Sequence, residues 1–243
     1  MATPPVGEFM GTMVLIILGD GVVAGALLGK SKGENAGWLA ITAGWGFAVL
    51  AGIFTAMACG SSDAHINPAI TMGLAIANSD YSKIPTYIPA QIAGAFAGAV
   101  LVWLAYWSHW RETPNPAFKL GIFCTIPAIR SYGANLLTET IGTAVLVVVG
   151  LAFGSKAVSA TGLPAGYAPF LWAILVWGIG LSLGGPTGYA INPARDLGPR
   201  IAHAVLPIPG KGSSDWSYAP IPILGPLIGC AVGAAVVRTF HIV

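Results

Sequence analysis

Six runs of apolar residues divide the chain, near 7–28, 38–58, 84–107, 134–154, 165–184 and 218–240. Each reaches the roughly 20 residues that an α-helix needs to cross a hydrocarbon core. Polar, proline-rich or charged stretches such as "GKSKGENAG", "HWRETPNPAFKLG" and "IPGKGSSDWS" lie between them and read as loops in water. Two further helical stretches break this rhythm, from Asn67 to Ala77 and from Asn192 to Ala202. At about 1.5 Å per residue, each covers only half of a core about 30 Å thick. They are predicted to enter the membrane and stop partway.

The pattern is also written twice. "GEFMGTMVLIILG" at 7–19 aligns with "TETIGTAVLVVVG" at 138–150, pairing Glu8 with Glu139 and Gly19 with Gly150. "HINPAITMGLAI" from His65 is matched by "AINPARDLGPRI" from Ala190, and "QIAGAFAGA" from Gln91 by "PLIGCAVGA" from Pro226. Three landmarks thus recur in one order, which divides a single domain over 1–243 into a first repeat at about 7–107, a connecting loop at about 108–133 and a second repeat at about 134–240. Three full spans per unit is an odd number, so the second copy enters from the opposite side. The predicted fold is an all-α membrane protein: six transmembrane helices plus two re-entrant half-helices in an inverted repeat.

Composition agrees with that setting. The chain is 55% hydrophobic and 8% charged, with a mean hydropathy of +0.76, against about 25% charged residues in a soluble domain. A net charge of +2 spread thinly leaves no basic patch, which excludes nucleic acid as a partner. Cys59, Cys124 and Cys230 are far apart and in no metal or redox spacing, so no metal and no cofactor is expected. The first lysine is Lys30, so the first run lacks the basic flank of a signal peptide and is expected to stay as a helix.

The chemistry gathers where the half-helices begin. Asparagine is a favoured N-cap and proline a favoured first helical residue, so Asn67-Pro68 and Asn192-Pro193 each start a helix inside the membrane. Irregular backbone is tolerated there when buried in protein or lining a wet cavity, which implies a pore between the two halves. Two positive helix ends and two amide donors at its centre disfavour cations and suit water or a polyol. Arg195 is a charge at membrane depth and therefore a functional candidate. Asp196, about 100° further round the helix, is expected to brace the loop. Asp20, deep in the first span, is expected to pair internally or to reach a vestibule.

Two boxes, Asn67-Pro68-Ala69 and Asn192-Pro193-Ala194, with six spans and "ARD" after the second box, resemble the aquaporin family (major intrinsic proteins), in particular its aquaglyceroporin branch. The resemblance covers essentially the whole chain. It implies a homotetramer in the lipid bilayer of the plasma membrane, each protomer with its own pore and both termini cytoplasmic. It also implies passive diffusion of glycerol and other small neutral solutes, with some water, while ions and protons are excluded. The narrow filter of that branch maps onto Arg195, Tyr189, Gly180 and Trp45; His65 takes a pore-lining place, and Glu8 and Glu139 hold the re-entrant backbones. This chain departs from the pattern in three ways. "CGSSDAHIN" is about two residues longer, so an ungapped match puts Phe47 in place of Trp45; Tyr189 replaces the usual Phe; and Asp20 and Asp63 are acidic, with Asp63 expected to cap a loop beside His65.

Other readings are weaker. "GLSLG" at 180–184 matches a nucleophile elbow, but it sits at the end of an apolar span without a strand or a partner triad, so no enzyme is expected. A gradient-coupled transporter shares inverted repeats and broken helices, yet the central groups here are neutral amides. Within the channel reading, water, urea and small undissociated acids such as lactic acid are the alternatives to glycerol. With both termini inside, the outer loops hold Lys30, Lys32, Arg111, Lys119, Arg130 and Lys211, and the inner side Lys83, Lys156 and Arg238. That is the reverse of the usual positive-inside bias.

Overall fold

The computed structural model describes residues 2–242, and its described elements are all helical. In chain order they are α1 (Pro4–Leu27), α2 (Gly37–Ala58), α3 (Pro68–Asn78), α4 (Ile84–Ala105), α5 (Pro116–Phe123), α6 (Tyr132–Ala152), α7 (Tyr167–Leu183), α8 (Pro193–Val205) and α9 (Pro220–Thr239). Helices α1, α2, α4, α6 and α9 are long and apolar enough to cross a membrane. Apolar α7, with 17 residues, is about 26 Å long and takes the sixth place. The half-helices α3 and α8, of 11 and 13 residues, reach about 17 and 20 Å. Boundaries differ from the sequence expectation by at most three residues, nearly one turn, the largest shifts being at the start of α1, where Pro4 and Pro5 open the helix early, and at the end of α8.

The connecting loop holds more order than expected. Asn115-Pro116-Ala117 is a third Asn-Pro-Ala, outside both repeats, and it starts α5 in the same way: the Asn115 side chain accepts from Ala117 N at 2.9 Å. It lies at an exposed position in the loop. The tripeptide by itself is therefore a helix start, and surroundings decide whether it does more.

The two repeats interlock. Within each, the first helix packs on the third, α1 on α4 and α6 on α9, while across the repeats α3 packs on α9 and α8 on α4. Close crossings need residues without side chains. A Cβ at Gly94 would stand 2.2 Å from Phe9 O, and one at Gly229 would stand 2.4 Å from Thr140 O. These are equivalent positions, so the same crossing was kept in both copies. Large apolar side chains such as Leu39, Phe54, Leu104, Phe170 and Leu224 face outward, as lipid requires, while Glu8, Gln91, Glu139, Asn67 and Asn192 are buried inside.

Candidate functional site

The half-helices α3 and α8 meet through their caps. Asn67 is extended, with φ −158° and ψ 120°, and its Oδ1 accepts from Ala69 N at 2.8 Å. Asn192 Oδ1 accepts from Ala194 N at 3.0 Å and from Arg195 N at 3.3 Å. The amide nitrogens cross over: Asn67 Nδ2 donates to Ile191 O at 2.9 Å, and Asn192 Nδ2 donates to Ile66 O at 3.0 Å. An amide carries two N–H groups, so each asparagine keeps one donor unspent.

The backbone leading into each cap is strained in matching places. Ala64, Ile66, Tyr189 and Ile191 all have positive φ, at 42°, 45°, 39° and 42°, a region that costs non-glycine residues about 1–3 kcal/mol each. Two buried glutamates offset this. Glu8 accepts from His65 N at 2.8 Å, Ile66 N at 2.7 Å, Ser61 Oγ at 2.6 Å and Gln91 Nε2 at 2.7 Å. Glu139 accepts from Ala190 N at 3.0 Å and Ile191 N at 2.9 Å. Each carboxylate thus holds the two N–H groups directly before its asparagine, charge-assisted bonds that are stronger than neutral ones.

Three cavities in sequence run past these tips. At the C-terminal end of α1, the side called outer from here on, one of about 350 Å³ is lined by Trp38, Trp45, Phe118, Cys124, Tyr189 and Arg195 among others. It shares Trp45, Tyr189 and Arg195 with a neck of only about 40 Å³, which also touches Asn192. The neck shares Leu15, Val49, Val176 and Asn192 with an inner cavity of about 310 Å³, where His65 is in the wall. At the neck the Arg195 guanidinium lies 4.2 Å from the centre of the Trp45 ring, a cation–π contact. Arg195 Nη1 and the Tyr189 hydroxyl have no partner among the described residues. Gly180 stands behind Tyr189: a Cβ there would come within 2.6 Å of Tyr189 Cζ. The missing side chain lets the tyrosine ring lean away from the neck. Trp38, absent from the sequence expectation, holds that arrangement by donating to Gly180 O at 3.1 Å and meeting the Tyr189 ring edge-on at 5.8 Å. Phe47 is exposed on the outside of α2, against Trp177.

Each mouth has its own brace. On the inner side, His65 contacts Thr71 Oγ1 at 3.1 Å and Asp63 Oδ2 at 3.0 Å, and Asp63 also pairs with Lys83 and accepts from Tyr87 at 2.8 Å. Burial raises the Asp63 carboxyl, but the bonds from His65, Lys83 and Tyr87 outweigh it and hold the group well below the usual carboxylate range. On the outer side, Asp196 accepts from Thr125 N and Oγ1, both at 2.8 Å, and from Arg200 Nε at 2.8 Å. Arg200 continues to Ser214 O and Asp215 O at 2.8 and 3.0 Å, so α8 is tied to the loops on both sides of it. Asp20 neither pairs nor reaches a vestibule: it is fully buried, and neither of its oxygens has a partner among the described residues.

The sequence profile described as Major intrinsic protein matches residues 3–237. The chain belongs to the major intrinsic protein family. Among relatives of this major intrinsic protein, the "Probable glycerol uptake facilitator protein" of Thermotoga maritima is 59% identical over 94% of this chain and 95% of its own length. "Glycerol uptake facilitator protein 3" of Lactiplantibacillus plantarum is 54% identical over 96% of this chain and 95% of its own. The X-ray structure of the aquaglyceroporin from Plasmodium falciparum superposes with a TM-score of 0.85 at 29% identity, covering 98% of this chain and 95% of that one. This major intrinsic protein is accordingly a multi-pass membrane protein with six spans and two half-helices. Among its described residues no three His, Cys, Asp or Glu side chains converge to hold a metal ion.

Proposed function

We propose that the protein is a passive channel for glycerol and other small neutral polyols, with some water, that excludes ions and protons. The observation that carries this reading is the two-sided neck, where the Arg195 guanidinium stacks on Trp45 beside Tyr189 in a space of about 40 Å³. A polyol entering it lays its carbon edge on the aromatic rings and turns its hydroxyls toward Arg195 N–H donors, replacing the hydration it sheds. Space for about three waters leaves no room for a hydrated ion. A cation stripped of water also meets the charge of Arg195 and the positive ends of α3 and α8. Beyond the neck, the unspent N–H of Asn67 and of Asn192 donate to whatever passes. A water that accepts from both points its own protons outward, which interrupts a proton relay.

The same reading makes the protein a homotetramer of the plasma membrane with both termini cytoplasmic and each protomer conducting by itself. The relatives named as glycerol uptake facilitators support the solute class. Stopped-flow light scattering on proteoliposomes tests it: glycerol influx is expected to be fast and linear in concentration, with no dependence on a proton or sodium gradient. Saturable, gradient-driven flux would replace the channel by a transporter. Fast water with glycerol excluded would make it a water channel.

A further inference from the structure

Asp20 has no part in the path just described, and its setting needs an explanation. It follows Gly19, whose missing side chain makes room for the Trp45 indole: a Cβ at Gly19 would stand 2.3 Å from Trp45 Cζ3. Three and seven residues further on, on the same face of α1, Val23 and Leu27 line the outer cavity. The carboxyl group is therefore just behind the wall of the filter, fully buried, with two unpartnered oxygens. Burying a carboxylate in this way costs several kcal/mol unless something compensates.

The opposite charge is at the same indole. Arg195 rests on Trp45 by one contact at 4.2 Å, and its Nη1 is buried and unpartnered, like the Asp20 oxygens. Its sequence neighbour Asp196 does not neutralise it, being engaged with Thr125 and Arg200. Gly19 and Arg195 press on the same indole, so Asp20 and Arg195 flank one ring. Buried polar groups left without protein partners are commonly satisfied by water, which makes about three hydrogen bonds in such places.

We propose that Asp20 is a positioning residue of the filter: through buried water its carboxylate is the counter-charge that fixes the Arg195 guanidinium against Trp45, and it thereby sets the discrimination between glycerol and water. Asp20 does not touch the solute; it determines where the arginine that does so can stand. The inference rests on the solute reading above.

A double-mutant cycle tests it, using wild type, Asp20→Asn, Arg195→Ala and the double variant in proteoliposomes. The quantity read is the ratio of glycerol to water permeability, which does not depend on how much protein has inserted. Asp20→Asn keeps the shape and removes the charge, and is expected to change that ratio at least about threefold, a coupling of about 0.6 kcal/mol. In the Arg195→Ala background the same substitution is expected to leave the ratio unchanged. An equal shift in both backgrounds, or a wild-type ratio in Asp20→Asn, would overturn the proposal. Should Asp20→Asn fail to assemble, Asp20→Val, which leaves no buried polar group, is measured in its place with the same two outcomes. If wild-type protein passes no glycerol, the solute reading alone fails, and the cycle is read on urea against water.

Discussion

At the scale of single residues, the neck is governed by what is missing as much as by what is present. Gly180 contributes the space into which the Tyr189 ring retreats, and a side chain there meets the rigid end of that ring. Gly180→His is therefore expected to push Tyr189 toward Arg195 and Trp45. Glycerol flux should fall about tenfold more than water flux, a difference of about 1.4 kcal/mol, measured by stopped flow on folded protein. Equal loss of both solutes would remove Gly180 from the filter. The residues whose chemistry is anomalous for a membrane were legible in the sequence: an arginine at depth, paired asparagines and paired glutamates declare themselves. Trp38 did not, because an aromatic residue at the start of a span is ordinary at a membrane interface and its bond to Gly180 O joins residues 142 apart. Trp45 against Phe47 was open for a related reason, since sequence spacing in the "CGSSDAHIN" loop does not fix which face of α2 turns inward.

At the scale of elements, the re-entrant loops depend on carboxylates that lie outside them. An amide in place of Glu8 or Glu139 turns one acceptor into a donor facing a backbone N–H. Each of Glu8→Gln and Glu139→Gln is expected to lower stability by about 1–3 kcal/mol and to reduce flux. Glu112→Gln, which alters only an exposed pair with Lys30, should stay within about 0.5 kcal/mol. Thermal unfolding in detergent compares the three. The inner brace has a pH signature of its own. The Asp63 carboxyl is held below its ordinary value, so its contribution is complete above about pH 4 and is lost only as the pH falls toward the lowered value. The melting-temperature gap between wild type and Asp63→Asn should thus be no smaller at pH 5 than at pH 7, and should narrow only in stronger acid. Periodicity and length made all six spans and both half-helices readable. The short α5 escaped because its start, Asn115-Pro116, stands in a proline-rich stretch that a loop also explains.

At the scale of the whole molecule, near-symmetry blurs orientation. The outer loops carry more cations than the inner ones when both termini are cytoplasmic, and an inverted repeat offers few other cues. Pro114→Cys, at an exposed position in the connecting loop, made in a background without the half-buried Cys59, is expected to react with a membrane-impermeant maleimide only from outside the cell. Labelling only from the cytoplasm would invert the assignment.

The crossed bonds of the two asparagines bear on where such a molecule comes from. Asn67 bonds the residue before Asn192, and Asn192 bonds the residue before Asn67. That reciprocity, with each surface patch meeting its own copy, is the mark of an isologous contact in a two-fold dimer. The exchange of α3 and α8 between the halves has the same form. The single chain is built like two subunits joined end to end, and the conducting centre is their shared interface. Neither half owns it, so a polypeptide carrying one repeat holds no pore until it finds a second of opposite orientation.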